Sequence, residues 1–489
     1  MNKYEVGVIT DGKLGCNFAR RLKENGYSCV LYNTGLEKLS RTDINCYVSE
    51  MHEQEILTST SAEVMIQLLE KPRRIFIVSR SSSYAKQILD ELYDIVEPQD
   101  IIVDTCDADY KVTKDRCREF QQKKKVSYLG VGFSGEAAEL LNGTSLMVGG
   151  SRDAYIEIYD ILRDISSKFG GYECCAYMGP DGAGQYTKMI HNGIEYGMLQ
   201  SICESISILE RIADLDSSIV FETLGEWLIG ENESFLIQAV YEILSKKDSE
   251  TDNLFKNIVS DKVGYSQSVL WLCNSAAELA EPVPSIYAAL NNRFMTGLKK
   301  ERTSYSDLLK REKNNILLKQ REVKSFVADV RNALYLTLIC VHAQAFNLLK
   351  HRSLAEIWGT SSLDVAITFQ GGAFIRSRLL TRIIDAYKNK PDLKNLLEDS
   401  YFVSVVRRYL PSLQNVVCKA AEGGVSIPIM SASLSYLYDF SEETMNTSII
   451  ELARDYIQGT GFELKSSPNT KCYANWKKTD NLVFYKARK

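Results

Sequence analysis

The sequence predicts an α/β fold of unequal parts: an N-terminal doubly wound, Rossmann-like domain, a large all-α domain, and a C-terminal tail. Three observations predict it. Over residues 1 to about 180, short β-rich runs alternate with amphipathic helical runs, which implies parallel strands joined by crossover helices. From about 183 to 440 strand signals stop and helical periodicity dominates. The last portion opens as a helix and ends in a polar, turn-rich stretch. The predicted domains are therefore 1–182, 183–442 and 443–489.

In the first part, residues 6–9, 28–32, 74–78, 101–103 and 128–132 read as strands. Residues 14–25, 61–69, 83–96 and 109–122 read as the helices between them. In the second part 201–213, 234–246, 267–280, 325–349 and 379–387 carry helical spacing, punctuated by Pro282, Pro284, Pro411 and Pro428. A helix over 443–458 opens the tail, and Gly459, Gly461, Pro468 and Asn469 mark turns after it.

Of 489 residues 45% are hydrophobic, as in an ordinary globular protein, and the net charge is −5. That balance gives no support for a nucleic-acid or membrane-surface partner. The chain enters its first strand with no signal-peptide pattern, and no apolar run approaches the ~18 residues of a membrane span. Twelve cysteines are scattered without a CxxC pair, which fits free thiols in a reducing cytoplasm. Only four histidines are present, with no metal-ligand cluster of cysteine and histidine, which argues against a multi-histidine metal site.

Lys188, His191, Asn192, Glu195 and Tyr196 recur at helical spacing and so share one face. A buried stripe of amine, imidazole, amide, carboxylate and phenol is costly unless each group has a partner. A helix with this stripe and an apolar back (Met189, Ile190, Ile194, Met198) is expected to line a polar cavity. Lys188 and Glu195 are about 10 Å apart along the axis at ~1.5 Å per residue.

After the first strand comes Thr10-Asp11-Gly12-Lys13-Leu14-Gly15, where a dinucleotide fingerprint would read GxGxxG. Gly12 and Gly15 stand at the second and third glycines, and Thr10 replaces the first. The bare alternative is an ordinary strand-to-helix turn. After the second strand, Asn33 and Thr34 supply neither the acid that marks NAD nor the arginine that marks NADP.

Residues 179–197, GPDGAGQYTKMIHNGIEYG, resemble GPDGAGHFVKMVHNGIEYG of the 6-phosphogluconate dehydrogenase family. Lys71-Pro72-Arg73-Arg74-Ile75, Ser145-Leu146-Met147-Val148-Gly149-Gly150, Gln370-Gly371-Gly372-Ala373-Phe374-Ile375-Arg376-Ser377 and Ala453-Arg454-Asp455-Tyr456 resemble further family segments in order. The resemblance implies oxidative decarboxylation of 6-phosphogluconate to ribulose 5-phosphate with NADP, in a homodimer. It implies Lys188 as general base, Glu195 as general acid, and His191, Asn192 and Tyr196 as substrate contacts. Arg293 and Arg454 match arginines that bind the substrate phosphate, the second lent by the neighbouring subunit's tail. Ser134 and Gly135 match the start of the substrate loop.

The departures concentrate on the cofactor side. Thr10 replaces a glycine, and Thr34 an arginine that grips the NADP 2′-phosphate. Ser79-Arg80-Ser81 replace Val-Lys-Ala, with Arg80 keeping the charge. Asp107 replaces an amide that touches both substrate and cofactor, and Thr460 a tail histidine. A lysine of the substrate cage aligns with Ser266, with Lys262 nearby. Two outcomes stay open: a divergent enzyme using NADP (NAD not excluded), or an impaired or repurposed relative that binds metabolites or serves as a structural partner.

Overall fold

The five expected strands all form, in one eight-stranded sheet within a computed structural model that describes residues 3–38, 41–135, 139–310, 318–476 and 484–486. They are β1 (Tyr4–Thr10), β2 (Cys29–Asn33), β4 (Leu69–Val78), β5 (Ile101–Asp104) and β6 (Ser127–Ser134), with β3 (Leu57–Ser59) between β2 and β4 in sequence. β7 (Ser145–Gly150) follows, then a hairpin of β8 (Lys168–Phe169) and β9 (Tyr172–Glu173), then β10 (Cys175–Gly179). The order is β10-β7-β6-β5-β4-β1-β2-β3. Neighbours pair in parallel except at β6–β7. β3 has only three residues, and β7 is buried on both faces, so neither shows the alternation that marks a half-exposed strand.

The strands divide their side chains between two cores at a period of two. Val6, Val8, Phe76 and Val78 join one cluster; Ile9, Ile75 and Ile77 join the other. The direction of connection reverses between β1 and β4, and ligands of such sheets bind outside the carboxyl ends there. Those ends carry Thr10 and Val78.

One continuous helix, Ala183–Arg211, absorbs both the polar stripe and the separately expected helix at 201–213. It packs on β6, β7 and the helix Gln320–Ala355. Gly184 permits the approach, since a Cβ there would stand 2.3 Å from the Met147 carbonyl oxygen and 2.4 Å from that of Gly130. Helix Gln320–Ala355 is apolar and long enough to cross a membrane, contrary to the expectation that no such run exists. However, 89% of its apolar window is buried inside the protein, as in a core helix.

Contacts divide the chain into two compact units, residues 1–434 and 435–489. The second holds the helix Ser448–Gln458, five residues shorter at its start than expected. Gly459, at φ +65°, ends that helix in the left-handed conformation. The turn-rich stretch beyond it is not a loop. It forms a three-stranded antiparallel sheet of Phe462–Leu464, Ser467–Ala474 and Phe484–Lys486. Pro468 and Asn469 are accommodated because pairing jumps from Glu463–Lys471 to Leu464–Ser467.

Candidate active site

Four of the five stripe residues are buried, Lys188 3% exposed, His191 0%, Asn192 8% and Tyr196 5%, and Glu195 is half-buried. Hydrogen bonds satisfy most of it. His191 Nδ1 lies 3.2 Å from Asn192 Oδ1, and Nε2 lies 3.1 Å from the Ser134 hydroxyl. The Asn192 amide nitrogen donates to Ser268 Oγ at 3.0 Å, so its oxygen faces the imidazole. His191 then donates from Nδ1 and accepts from Ser134 at Nε2. Burial, with Lys188 adding to it, holds this histidine well below its ordinary pKa, hence neutral. The chain of contacts continues from Ser268 to Ser266 at 2.8 Å, and the Ser266 amide donates to the Tyr196 hydroxyl at 2.6 Å. Arg293 stacks on the Tyr196 ring at 3.4 Å and donates to the Gly264 carbonyl at 3.1 Å.

Burial acts on the two ionisable ends of the stripe in opposite directions. It lowers the Lys188 pKa, while the charges of Asp107 and Glu195 oppose the shift and Arg80 reinforces it. It raises the Glu195 pKa, opposed by Lys188, Arg293 and Arg80 and reinforced by Asp107. A base must be unprotonated and an acid protonated, and each group is moved toward that state. The charge of Asp107 acts on both groups, favouring the protonated forms of Lys188 and of Glu195.

The loop bearing Asp107 is held from below. Asp104, 1% exposed, accepts from the Cys106 amide at 2.9 Å and from Arg116 at 3.0 Å, and the Tyr128 hydroxyl also reaches it. Gln185 donates to the Cys106 carbonyl at 2.9 Å. Asp104, Gln185 and Ser268 were not among the expected site residues. The available signals were an acid closing an apolar strand, an amide on the central helix, and Ser-x-Ser opening a helix.

At the cofactor end, Thr10 closes β1 in ordinary extended backbone, fully buried, and its hydroxyl donates to the Val78 carbonyl at 2.8 Å. Its side chain fills the space over Gly15, where a Cβ would stand 2.2 Å from Thr10 Cβ. Gly12 precedes the helix Lys13–Glu24, which has no side-chain cap, and a Cβ on Gly12 would meet nothing within 4 Å. A helix N-terminus without a side-chain cap, beside open space at Gly12, fits a pyrophosphate. The Asn33 side-chain oxygen accepts from the Gly35 amide at 2.9 Å. The Thr34 hydroxyl lies 3.1 Å from that of Tyr84 and 3.3 Å from the Thr10 carbonyl. Ser79 donates to Asp11 at 3.0 Å. Arg80 turns toward the loop that follows β6 and donates to the Gly135 carbonyl at 2.8 Å. Residues 136–138 of that loop lie outside the described residues.

Arg454 lies in the second unit, half-exposed and paired with Glu451 at 3.0 Å. Arg376 packs over the Phe235 ring at 3.7 Å, and Trp358 meets Tyr110 and Tyr186 edge-on, both in line with structural roles. Among the described residues no group of histidine, cysteine or carboxylate side chains could hold a metal.

Family sequence models match both parts of the chain. The NAD binding domain of 6-phosphogluconate dehydrogenase matches residues 5–179, and the 6-phosphogluconate dehydrogenase C-terminal domain matches residues 184–476. The NADP(+)-dependent, decarboxylating 6-phosphogluconate dehydrogenase of Bacillus subtilis is 33% identical over 463 residues, 95% of this chain and 97% of its own. The decarboxylating enzyme of Staphylococcus epidermidis is also 33% identical, over 94% of this chain and 97% of its own. Plasmodium falciparum 6-phosphogluconate dehydrogenase has been solved in its apo form, with its cofactor NADP+ and with its substrate. It superposes with a TM-score of 0.88 at 30% identity, covering 98% of this chain and 99% of that one.

Proposed function

The chain belongs to the 6-phosphogluconate dehydrogenase family, and we propose that it converts 6-phosphogluconate to ribulose 5-phosphate and carbon dioxide with reduction of NADP. The observation that carries the assignment of roles is the opposed effect of burial on Lys188 and Glu195. Neutral Lys188 takes the proton of the 3-hydroxyl as hydride leaves C3. NADP, when bound, accepts that hydride. The resulting β-keto acid loses C1 as carbon dioxide, and the electron pair left at C2 forms the enediol as Lys188 returns its proton to the C3 oxygen. Protonated Glu195 then delivers a proton to that C2 carbon, which becomes C1 of ribulose 5-phosphate. Ser134, His191, Asn192, Tyr196 and Arg293 orient the sugar acid through the network described above.

On this reading residues 1–182 hold the cofactor and 183–442 the substrate. Residues 443–489 complete the neighbouring subunit's site in a homodimer, and the enzyme serves the pentose phosphate pathway in the cytoplasm. Gly12, Gly15 and the end of β1 would cradle the pyrophosphate; Asn33 and Thr34 would face the ribose. One observation favours the alternative of a metabolite-binding relative with impaired turnover: a neutral threonine, already engaged with Tyr84, stands where the 2′-phosphate needs a cation. Steady-state assays of the Lys188→Ala and Glu195→Gln variants test the roles. Each is expected to lose about 10²–10⁴-fold in kcat with thermal stability unimpaired. Full activity in either variant would remove that residue from the mechanism.

A further inference from the structure

Asp107 acts on Lys188 and Glu195 from a separate element, the loop of residues 105–109 that joins β5 to the helix Tyr110–Glu119. Its influence depends on where that loop places it, since Coulomb energy falls with distance. The two residues before it are held firmly. Thr105 donates to the Ile77 carbonyl from its amide at 3.0 Å and from its hydroxyl at 3.1 Å. The Cys106 amide donates to the Asp104 carboxylate at 2.9 Å. The Cys106 carbonyl accepts from Gln185 Nε2 at 2.9 Å. The peptide unit is planar, so holding that carbonyl sets the plane that carries the Asp107 nitrogen and Cα.

Gln185 differs from the other anchors in where it stands. Ile77 lies on β4 and Asp104 on β5, whereas Gln185 lies on the helix Ala183–Arg211, three residues before Lys188 and on the same face. It is 3% exposed, and the same nitrogen also donates to the Val131 carbonyl of β6 at 3.3 Å. Both N–H groups of the amide are therefore committed. The start of the helix is fixed as well. A Cβ on Gly182 would stand 2.2 Å from the Tyr110 carbonyl oxygen, so the helix abuts the first residue after the Asp107 loop. One hydrogen bond and one helical turn thus connect the backbone of Asp107 to Lys188.

We propose that Gln185 is a positioning residue which, through the Cys106 carbonyl, sets Asp107 against Lys188 and Glu195. The charged and titratable groups that face Lys188 are Asp107 from the loop, Glu195 and His191 from its own helix, and Arg80 from the turn after β4. Glu195 faces Lys188, Arg80, Asp107 and also Arg293. Gln185 acts through Asp107. Released from its anchor, this half-buried carboxylate gains hydration by turning outward, and its effect on both groups falls. The proposal deepens the assignment of Lys188 and Glu195 as base and acid and rests on it.

The test follows kcat/KM for 6-phosphogluconate against pH, with a melting temperature for each protein. The intact wild type is compared with Gln185→Met, Gln185→Asn, Asp107→Asn and the double variant Asp107→Asn/Gln185→Met. Methionine keeps the length of the side chain without its donor; asparagine keeps the donor but falls one methylene short. Each Gln185 variant is expected to move both limbs of the profile to lower pH by about half a pH unit or more. In the Asp107→Asn background, Gln185→Met should move them by no more than about 0.2 of a pH unit. Limbs that stay in place or move to higher pH in either folded Gln185 variant overturn the proposal, even where the melting temperature falls, as a merely structural role would have it. A shift that persists undiminished in the Asp107→Asn background overturns it too. These outcomes leave the base and the acid standing. A wild-type protein that turns over 6-phosphogluconate with neither NADP nor NAD overturns that assignment, and this proposal with it.

Discussion

The proposed base Lys188 and proposed acid Glu195 share one helix face, and Asp107 is a charge that acts on both. Its carboxylate favours the ammonium of Lys188 and disfavours the carboxylate of Glu195, so it raises both pKa values. On the proposed roles activity requires Lys188 neutral and Glu195 protonated, which gives a bell-shaped pH profile. Removing the charge with Asp107→Asn lowers both pKa values and should move both limbs of the kcat/KM profile to lower pH. A profile that stays in place, or moves to higher pH, would contradict this role. At the cofactor end, Thr34→Arg should tighten NADP binding by roughly 10- to 100-fold, since one charge-assisted hydrogen bond is worth ~1.5–3 kcal/mol. Calorimetry with NADP and NAD checks this: NAD affinity should change little. The five residues of the stripe were legible because helical spacing placed them on one face. Ser268, which accepts from Asn192, and Gln185, which donates to the Cys106 carbonyl, were not, because tertiary packing joins them to groups 76 and 79 residues away.

At the scale of elements, the helix Ala183–Arg211 also supports the helix Pro428–Ser441. Glu204, 2% exposed, accepts from the Ile429 amide at 3.0 Å and from the Met430 amide at 3.1 Å. Proline at the first helical position has no N–H, so these are the first amides in need of an acceptor. Burial raises Glu204 to about 7, against the pull of those hydrogen bonds. A carboxyl raised on folding contributes stability that is fully present below its unfolded pKa of ~4.3 and is lost as pH rises through the folded value. Wild type should therefore lose roughly 2–4 kcal/mol relative to Glu204→Gln between pH 5 and pH 8. Denaturant unfolding at the two pH values measures the difference; a constant gap would show that Glu204 does not titrate in this range. The same scale explains what the sequence left hidden. β1, β4 and the amphipathic helices announce themselves by period. β7 does not, being buried on both faces, and the tail sheet is masked by Pro468 and Asn469, which a shift in register accommodates.

At the scale of the whole molecule, the tail helix leaves Ile449, Ile450, Tyr456 and Ile457 each at least 60% exposed. Such a stripe supports a partner surface, and the proposed homodimer supplies one. Sedimentation at micromolar concentration should give about twice the 55.2 kDa chain mass, and deletion of residues 443–489 should abolish turnover. A fully active monomer would contradict the assembly. The central claim is that the altered cofactor side still serves an intact Lys188–Glu195 face. It is tested most directly by incubating the purified wild-type protein with 6-phosphogluconate and NADP and measuring NADPH and carbon dioxide together. The account predicts that the two appear in equal amounts and that both vanish in Lys188→Ala. Absence of both products from the wild type at saturating NADP and NAD would contradict it.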